Sequence, residues 1–137
     1  HYMAARSGAP LAREVLQRFS DAQAPKVSLF VGSDTHIAAL SGLLGAHFHL
    51  PGYGADDPPP GGALLLGLWR EPSGERVVRA QYLAQSLDQL RTLAPLDLAH
   101  PPLQQRVALG LCAPLQGMAC PLPEFAKALE QQLRLDR

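Results

Sequence analysis

A short apolar run, VSLFV at residues 27–31, ends at Gly32 and is followed by a segment with helix-forming character. A continuous run of β-branched and large apolar residues is typical of a strand buried on both faces, as in a parallel sheet. Residues 33–35, SDT, offer N-cap side chains for a helix that we expect over residues 37–48, IAALSGLLGAHF. The order of strand, glycine turn and helix predicts an α/β fold.

The rest of the chain predicts one hairpin and three further helices. Two runs rich in strand-forming residues, 63–69 and 76–84, flank the turn EPSGE, as in an antiparallel hairpin. Helical spacing of apolar residues predicts helices over residues 10–19, 86–93 and 123–135, and Pro10 lies in the first turn of the first of these. Residues 96–111 are expected to be irregular with one extended stretch. Three strands would leave residues 27–31 with an unpaired edge, so we expect more chain or another copy to complete the sheet.

Composition excludes several classes of protein. The 137 residues with 47% apolar content suit a single domain spanning residues 1–137. Lys and Arg total 12, as do Asp and Glu, so no basic excess marks a nucleic-acid-binding protein. No window approaches the roughly 20 apolar residues of a membrane span. No signal-peptide core is visible, which favours the cytoplasm if the protein is expressed as this chain.

The cysteines and histidines predict no metal site and no cofactor. Cys112 and Cys120 lie too far apart for a CxxC pair, and they form either a local disulfide or two buried free thiols. His47 and His49 form an HxH pair without a carboxylate or a third histidine close by in sequence.

The turn after the apolar run is the candidate functional site. Ligands of open α/β sheets bind beyond the carboxyl ends of strands, and the free N–H groups of a helix N-terminus attract anions such as phosphate. Asp34 is either a general acid or only a helix cap. A carboxyl group acts as a general acid only when burial or a neighbouring anion raises its pKa. His36 either reaches the same anion or is a surface residue, and Asp56 and Asp57 are expected to be solvated loop charges.

The order of features along the chain resembles the histidine acid phosphatases, in their bacterial phytase and glucose-1-phosphatase branch of the phosphoglycerate-mutase-like superfamily. An apolar strand leads into a turn similar to the family's GHDTN turn, and LP followed by PPPGG precedes a strand ending in Trp69. The segment QYLAQSLDQLR is similar to the family's QxLxQxR segment, and LCAPLQGMACP resembles its cysteine-bracketed loop before a final helix. The resemblance covers about residues 1–133.

The resemblance implies the C-terminal portion of a three-layer α/β/α domain, with a strand–helix unit, a β-hairpin and a C-terminal helix. It implies that Asp34 protonates the leaving group, that Ser33, Thr35 and His36 bind phosphate, and that Cys112 pairs with Cys120. Ser33 replaces the family's phosphate-binding histidine, and His36 stands where an asparagine is common. The RHGxRxP motif, which carries the family's nucleophilic histidine and phosphate-binding arginines, is absent from the sequence.

These differences predict half of an active site in a partial domain. We expect phosphomonoester hydrolysis to require a complementary N-terminal chain, and the isolated chain to be inactive. The alternative is a stand-alone, non-catalytic domain that binds a phosphorylated ligand or self-associates as a homo-oligomer. The resemblance and the cysteine pair favour the periplasm. A phosphate or phosphomonoester is the expected ligand in either case.

Overall fold

The computed structural model of the protein describes residues 2–112 and 118–135, with side chains from residue 6 onward. The elements in chain order are α1 (Tyr2–Ser20), α2 (Asp34–Leu44), β1 (Ala63–Arg70), β2 (Arg76–Ala84), α3 (Leu87–Thr92), β3 (Leu103–Val107), β4 (Cys120–Pro121) and α4 (Leu122–Leu135). The α/β class, the hairpin and the terminal helix are confirmed, and β3 is the extended stretch expected within residues 96–111.

The strands form an antiparallel sheet with β2 at its centre. β1 pairs with β2 from Ala63 opposite Leu83 to Arg70 opposite Arg76. β3 and the two-residue β4 pair with successive parts of the other edge of β2. The turn between β1 and β2 closes through a hydrogen bond from Gly74 N–H to the Glu71 carbonyl, and Gly74 has a positive φ of 88°. Glycine adopts this conformation without the steric cost that other residues incur.

The predicted strand at residues 27–31 is wrong for this chain. These residues belong to no helix or strand, and no strand within residues 2–112 and 118–135 pairs with them. Val27, Leu29 and Val31 are 83%, 86% and 90% exposed. A strand is defined by hydrogen bonds to a neighbour, so an apolar sequence alone cannot form one. The strand–helix unit therefore keeps only its helix.

Two predicted helix boundaries also differ. Helix α1 begins at Tyr2, with Pro10 inside it rather than in its first turn. Helix α2 ends at Leu44 instead of continuing to Phe48, because Gly45 adopts a left-handed conformation with φ 59° and caps the helix. Residue 46 then pairs with residue 109 in a single β-bridge, so tertiary pairing has replaced the last predicted helical turn.

The core lies between the helices and one face of the sheet. Helix α1 packs on α2, and a Cβ atom at Gly8 would come within 3.0 Å of the Ala39 backbone, so a small residue is needed where these helices meet. Helix α4 contacts α1, α2 and β2. The largest fully buried side chains are Tyr82, Phe125, Leu44, Leu129, Val78, Val107 and Cys120. The core therefore holds α2, including its first turn, against the rest of the fold.

The disulfide implied by the resemblance is present. Cys112 and Cys120 are bonded, with their Cα atoms 6.1 Å apart. The bond anchors β4, which begins at Cys120, to the end of the segment that follows β3. Residues 113–117 of the cysteine-bracketed loop lie outside the described residues. Within the described part of the chain, no helix combines the length and apolar character that crossing a membrane requires.

Tyr82 is a buried ionisable side chain in the core. Its side chain is fully buried and stacks on Phe48 with ring centroids 3.8 Å apart. Its hydroxyl has no hydrogen-bond partner among the described residues, and Gly62 leaves the space that this hydroxyl needs. Burial, and secondarily the charge of Asp57, raises the pKa of Tyr82 from 10.0 to about 12.

We expect the protein to lose stability above about pH 10, because the unfolded chain then releases the Tyr82 proton before the folded chain does. The contribution of Tyr82 to the free energy of unfolding is fully present below the pKa that this residue has in the unfolded chain. It is lost as pH rises through the pKa in the folded chain, and the total loss is about 2–3 kcal/mol. The free energy of unfolding, measured with urea, should fall between about pH 9 and about pH 11. The fall should be about 1.4 kcal/mol larger in the natural protein than in Tyr82→Phe. Tyr53→Phe is the control, and an equal difference in Tyr82→Phe would contradict the assignment.

Candidate functional site

The four predicted site residues lie together at the start of α2. Ser33 is the N-cap residue, with an extended backbone at φ −111° and ψ 175°, and Asp34 is the first residue of the helix. Ser33, Asp34, Thr35 and His36 are all exposed to solvent. The turn begins two residues after the exposed segment at residues 27–31. The site therefore lies next to a segment that no strand in the described part of the chain covers.

The carboxylate of Asp34 folds back onto its own turn. Its Oδ1 accepts a hydrogen bond of 2.7 Å from the Thr35 N–H group and a longer one of 3.4 Å from the Thr35 hydroxyl. These contacts hold the carboxylate at the helix N-terminus, where the helix dipole favours a negative charge.

The imidazole of His36 reaches back to Ser33. The Ser33 N–H group donates a 3.1 Å hydrogen bond to His36 Nδ1, and the Ser33 hydroxyl lies 3.0 Å from the same nitrogen. Because Nδ1 accepts a hydrogen bond from the backbone N–H group, the tautomer of the neutral ring that fits this contact carries its proton on Nε2. A Cβ atom at Gly32 would lie within 3.2 Å of the His36 ring, so glycine here makes room for the imidazole.

These contacts occupy several of the amide groups that would bind an anion. The N–H groups of Ser33 and Thr35 already donate to side chains, and that of His36 donates to the Ser33 carbonyl at 3.1 Å. A phosphate that used the first two would have to displace the His36 imidazole and the Asp34 carboxylate. The arrangement therefore provides an acid, a hydroxyl and an imidazole on one turn, closed onto itself by local hydrogen bonds.

Asp56 has a structural role that the sequence interpretation missed. Its carboxylate forms a hydrogen bond of 2.8 Å with His47 Nδ1 and accepts a hydrogen bond of 2.9 Å from the Phe48 N–H group. The hydrogen bond from His47 lowers the pKa of Asp56, against the smaller opposing effect of burial. Asp56 has a positive φ of 57°. Asp tolerates positive φ better than most residues, so the signal that the sequence offered was an aspartate in a turn-rich loop. Asp56 thus fixes the loop after α2 rather than serving as a free solvated charge.

No metal site accompanies these groups within residues 2–112 and 118–135, where no three His, Cys, Asp or Glu side chains could hold an ion together. A shallow cavity of about 110 Å³ lies instead on the sheet, between Trp69, Arg79, Arg106 and Met118. The Trp69 indole lies along Gly67, and the missing Cβ of this glycine leaves space for the indole. The Arg79 guanidinium lies over the Trp69 ring, 5.4 Å from the ring centroid, and forms an ion pair with Glu71. None of the predicted site residues lines this cavity.

Sequence comparison relates the chain to bacterial phosphatases. It is 35% identical to the phytase AppA of Escherichia coli over 111 residues, which cover 78% of this chain and 25% of that protein. It is 34% identical to a glucose-1-phosphatase of Salmonella typhimurium over 105 residues, covering 74% of this chain and 25% of that protein. No protein-family profile matches the chain.

Comparison of folds agrees with the sequence comparison. The apo phytase of Hafnia alvei superposes with a TM-score of 0.81 at 30% identity, over 96% of this chain and 35% of that one. The Citrobacter braakii phytase superposes with a TM-score of 0.79 at 25% identity, over 93% of this chain and 35% of that one. The chain thus spans about a quarter of the length of its curated relatives and about a third of these solved structures.

Proposed function

Because this chain belongs to the histidine acid phosphatases and matches the C-terminal part of its phytase and glucose-1-phosphatase relatives, we propose that it supplies the proton-donor half of a phosphomonoesterase site. The observation that carries the proposal is the 35% identity to a phytase over 111 residues, together with an aspartate at the first position of α2. A carboxyl group there faces the anion-binding end of the helix.

In the proposed reaction, Asp34 gives its proton to the oxygen of the departing alcohol. The negative charge of a bound phosphate raises the pKa of a neighbouring carboxyl group, which keeps the proton available until the bond to phosphorus breaks. The hydroxyl of Ser33 donates to a phosphate oxygen, and the Nε2–H of His36 offers a second donor. Thr35 orients the carboxylate through its N–H group.

The nucleophile and the phosphate-binding arginines belong to the part of the site that this sequence does not contain. No RHGxRxP motif occurs among its 137 residues. Ser33 brings one neutral donor where the family motif has a histidine, so this half of the site contributes little positive charge of its own. Hydrolysis would therefore need a further segment that carries a nucleophilic histidine and arginines and that packs beside the N-terminus of α2.

We expect the isolated 137-residue chain to hydrolyse p-nitrophenyl phosphate no faster than buffer. The turn at residues 33–36 holds one histidine and no arginine, so it lacks the electrostatic stabilisation that phosphoryl transfer depends on. The measurement is release of p-nitrophenol at acidic and neutral pH, with Asp34→Asn as the matched variant. Turnover that the substitution abolishes would contradict the proposed division of the site.

The relatives support a proposal for the class of substrate. The Hafnia alvei phytase, which is similar to this chain, has also been solved in complex with myo-inositol hexakis sulphate, and its fold superposes with a TM-score of 0.77. We propose that the assembled site accepts phosphate esters of polyols or sugars. The bond between Cys112 and Cys120 supports a location in an oxidising compartment, where disulfides persist.

A further inference from the structure

The cavity on the sheet gathers polar side chains on the face of β2 that points away from the core. Arg79 and Gln81 are partly exposed and alternate along this strand with buried residues, which are Val78, Ala80 and Tyr82. Successive side chains of a strand point to opposite faces of the sheet. The side chains of Arg79 and Gln81 therefore share the outer face.

The strand register brings two more polar side chains to the same place. Arg106 of β3 lies directly opposite Gln81, and it is therefore diagonal to Arg79 at a Cα separation of roughly 7–8 Å. On the other side of β2, the Trp69 ring lies under the Arg79 guanidinium. Apart from Met118, every described residue that lines the cavity belongs to β1, β2 or β3. The hydrogen-bonded strands of this chain therefore form nearly all of its wall.

The cavity has an excess of positive charge. Among the described residues that line it, two carry guanidinium groups and none carries a carboxylate, although the charges of the whole chain balance. Arg79 pairs with Glu71, but its Nε–H group has no acceptor in the described part of the chain. Arg106 is exposed, and neither its guanidinium nor the Gln81 amide has a hydrogen-bond or ion-pair partner among residues 6–112 and 118–135. The site thus offers hydrogen-bond donors for which these residues supply no acceptor.

We propose that this cavity binds a small oxyanion, a phosphate or carboxylate group, through Arg106 and Gln81. The planar guanidinium of Arg106 can donate two parallel hydrogen bonds to such a group, and the Gln81 amide on the neighbouring strand supplies a third donor. Arg79, which Trp69 and Glu71 hold in place, adds a fixed positive charge beside the anion. The volume of about 110 Å³ suits one such group. Pockets for drug-sized ligands are larger, at about 300–1,000 Å³.

This anion site is separate from the candidate phosphatase site. None of residues 33–36 lines the cavity, and the cavity wall comes from the sheet rather than from α2. The proposal therefore does not depend on the proposed phosphatase function, and the two are tested by different measurements.

The fluorescence of Trp69 provides the first test, because it is the only tryptophan in the chain. Sodium phosphate and sodium succinate are titrated separately into the 137-residue chain at constant ionic strength, with sodium chloride as the reference, because salt alone screens exposed charges. We expect a saturable change with one or both oxyanions and none with chloride. Saturation by phosphate alone would assign the site to phosphate groups, and saturation by succinate alone would assign it to carboxylates.

Substitutions locate the binding. Arg106→Gln should raise Kd about 10- to 100-fold, because hydrogen bonds to a charged group contribute a free energy of this size. Its circular dichroism spectrum should not change, because Arg106 is exposed. Arg13→Gln removes the same charge from an exposed position of α1 that does not line the cavity, and it should bind like the natural protein. Ser33→Ala should also bind normally, which separates this site from the turn at the start of α2.

A second measurement covers binding that leaves the fluorescence unchanged. A single tryptophan gives a single indole N–H resonance in a ¹H–¹⁵N spectrum. This resonance should shift on saturation with the oxyanion in the natural protein and in Arg13→Gln, but not at the same concentrations in Arg106→Gln. The proposal is overturned if neither measurement saturates, if chloride reproduces the change, or if Arg106→Gln and Arg13→Gln bind equally.

Discussion

Replacing Asp34 by Asn is expected to lower kcat for an alkyl phosphate about 10²- to 10⁴-fold in an enzyme that joins the preceding part of the Escherichia coli phytase to this chain. General acid catalysis contributes a factor of this size, and Asn cannot donate a proton that leaves with the alcohol. The substitution keeps an oxygen for the 2.7 Å hydrogen bond from the Thr35 N–H group, so the turn should keep its geometry. The chimaera is designed to supply the RHGxRxP motif of the family, which this sequence lacks.

The leaving group distinguishes a proton donor from a residue that only supports the fold. p-Nitrophenolate departs with little help from an acid, so the loss for p-nitrophenyl phosphate should be smaller than the loss for a sugar or alkyl phosphate. A structural defect would lower both rates by the same factor. Asp57→Asn, at an exposed carboxylate outside the turn, is the control and should leave both rates unchanged. Equal losses for the two substrates in Asp34→Asn would contradict the assigned role.

The hairpin was predictable because the signals that specify it are local. The predicted second strand, residues 76–84, coincides with β2, and the first differs from β1 by one residue at its end. The intervening turn holds a glycine at a position that needs positive φ, and the flanking residues favour strands. The helix start at Ser33 was predictable for the same reason, because residues 33–35 are of the types that cap helices, whereas the contact between Ser33 and His36 was not predicted.

The errors fall where distant parts of a chain decide the outcome. Residues 27–31 carry the composition of a central strand, but a strand forms only when a neighbour provides its hydrogen bonds, and no described strand does so. The short β4 depends on pairing with β2 and on the disulfide at Cys120, neither of which a local pattern reveals. The premature end of α2 at Gly45 likewise reflects both a local glycine and a distant partner, the bridge between Ala46 and Leu109.

The unpaired segment and the incomplete site are neighbours along the chain. The turn at residues 33–36 begins two residues after the segment at 27–31, with which no described strand pairs. A strand that paired with this segment would therefore also lie near Asp34. The proposed phosphatase site needs a nucleophilic histidine and arginines at this place, and the sequence has no RHGxRxP motif to supply them.

The candidate site depends on a core that keeps α2 in place, and a substitution at Leu129 tests how much that core contributes to the free energy of unfolding. Leu129 is fully buried in α4, which packs against α1, α2 and β2. Leu129→Ala removes buried methyl groups and leaves a cavity, and it should lower the free energy of unfolding by about 2–5 kcal/mol. Leu135→Ala, in the last turn of the same helix at an 81% exposed side chain, is the matched control and should change it by less than about 0.5 kcal/mol. Urea unfolding followed by circular dichroism measures both, at a concentration low enough to keep the chain monomeric. Losses that do not differ between the two leucines would mean that α4 is not packed on the core as described.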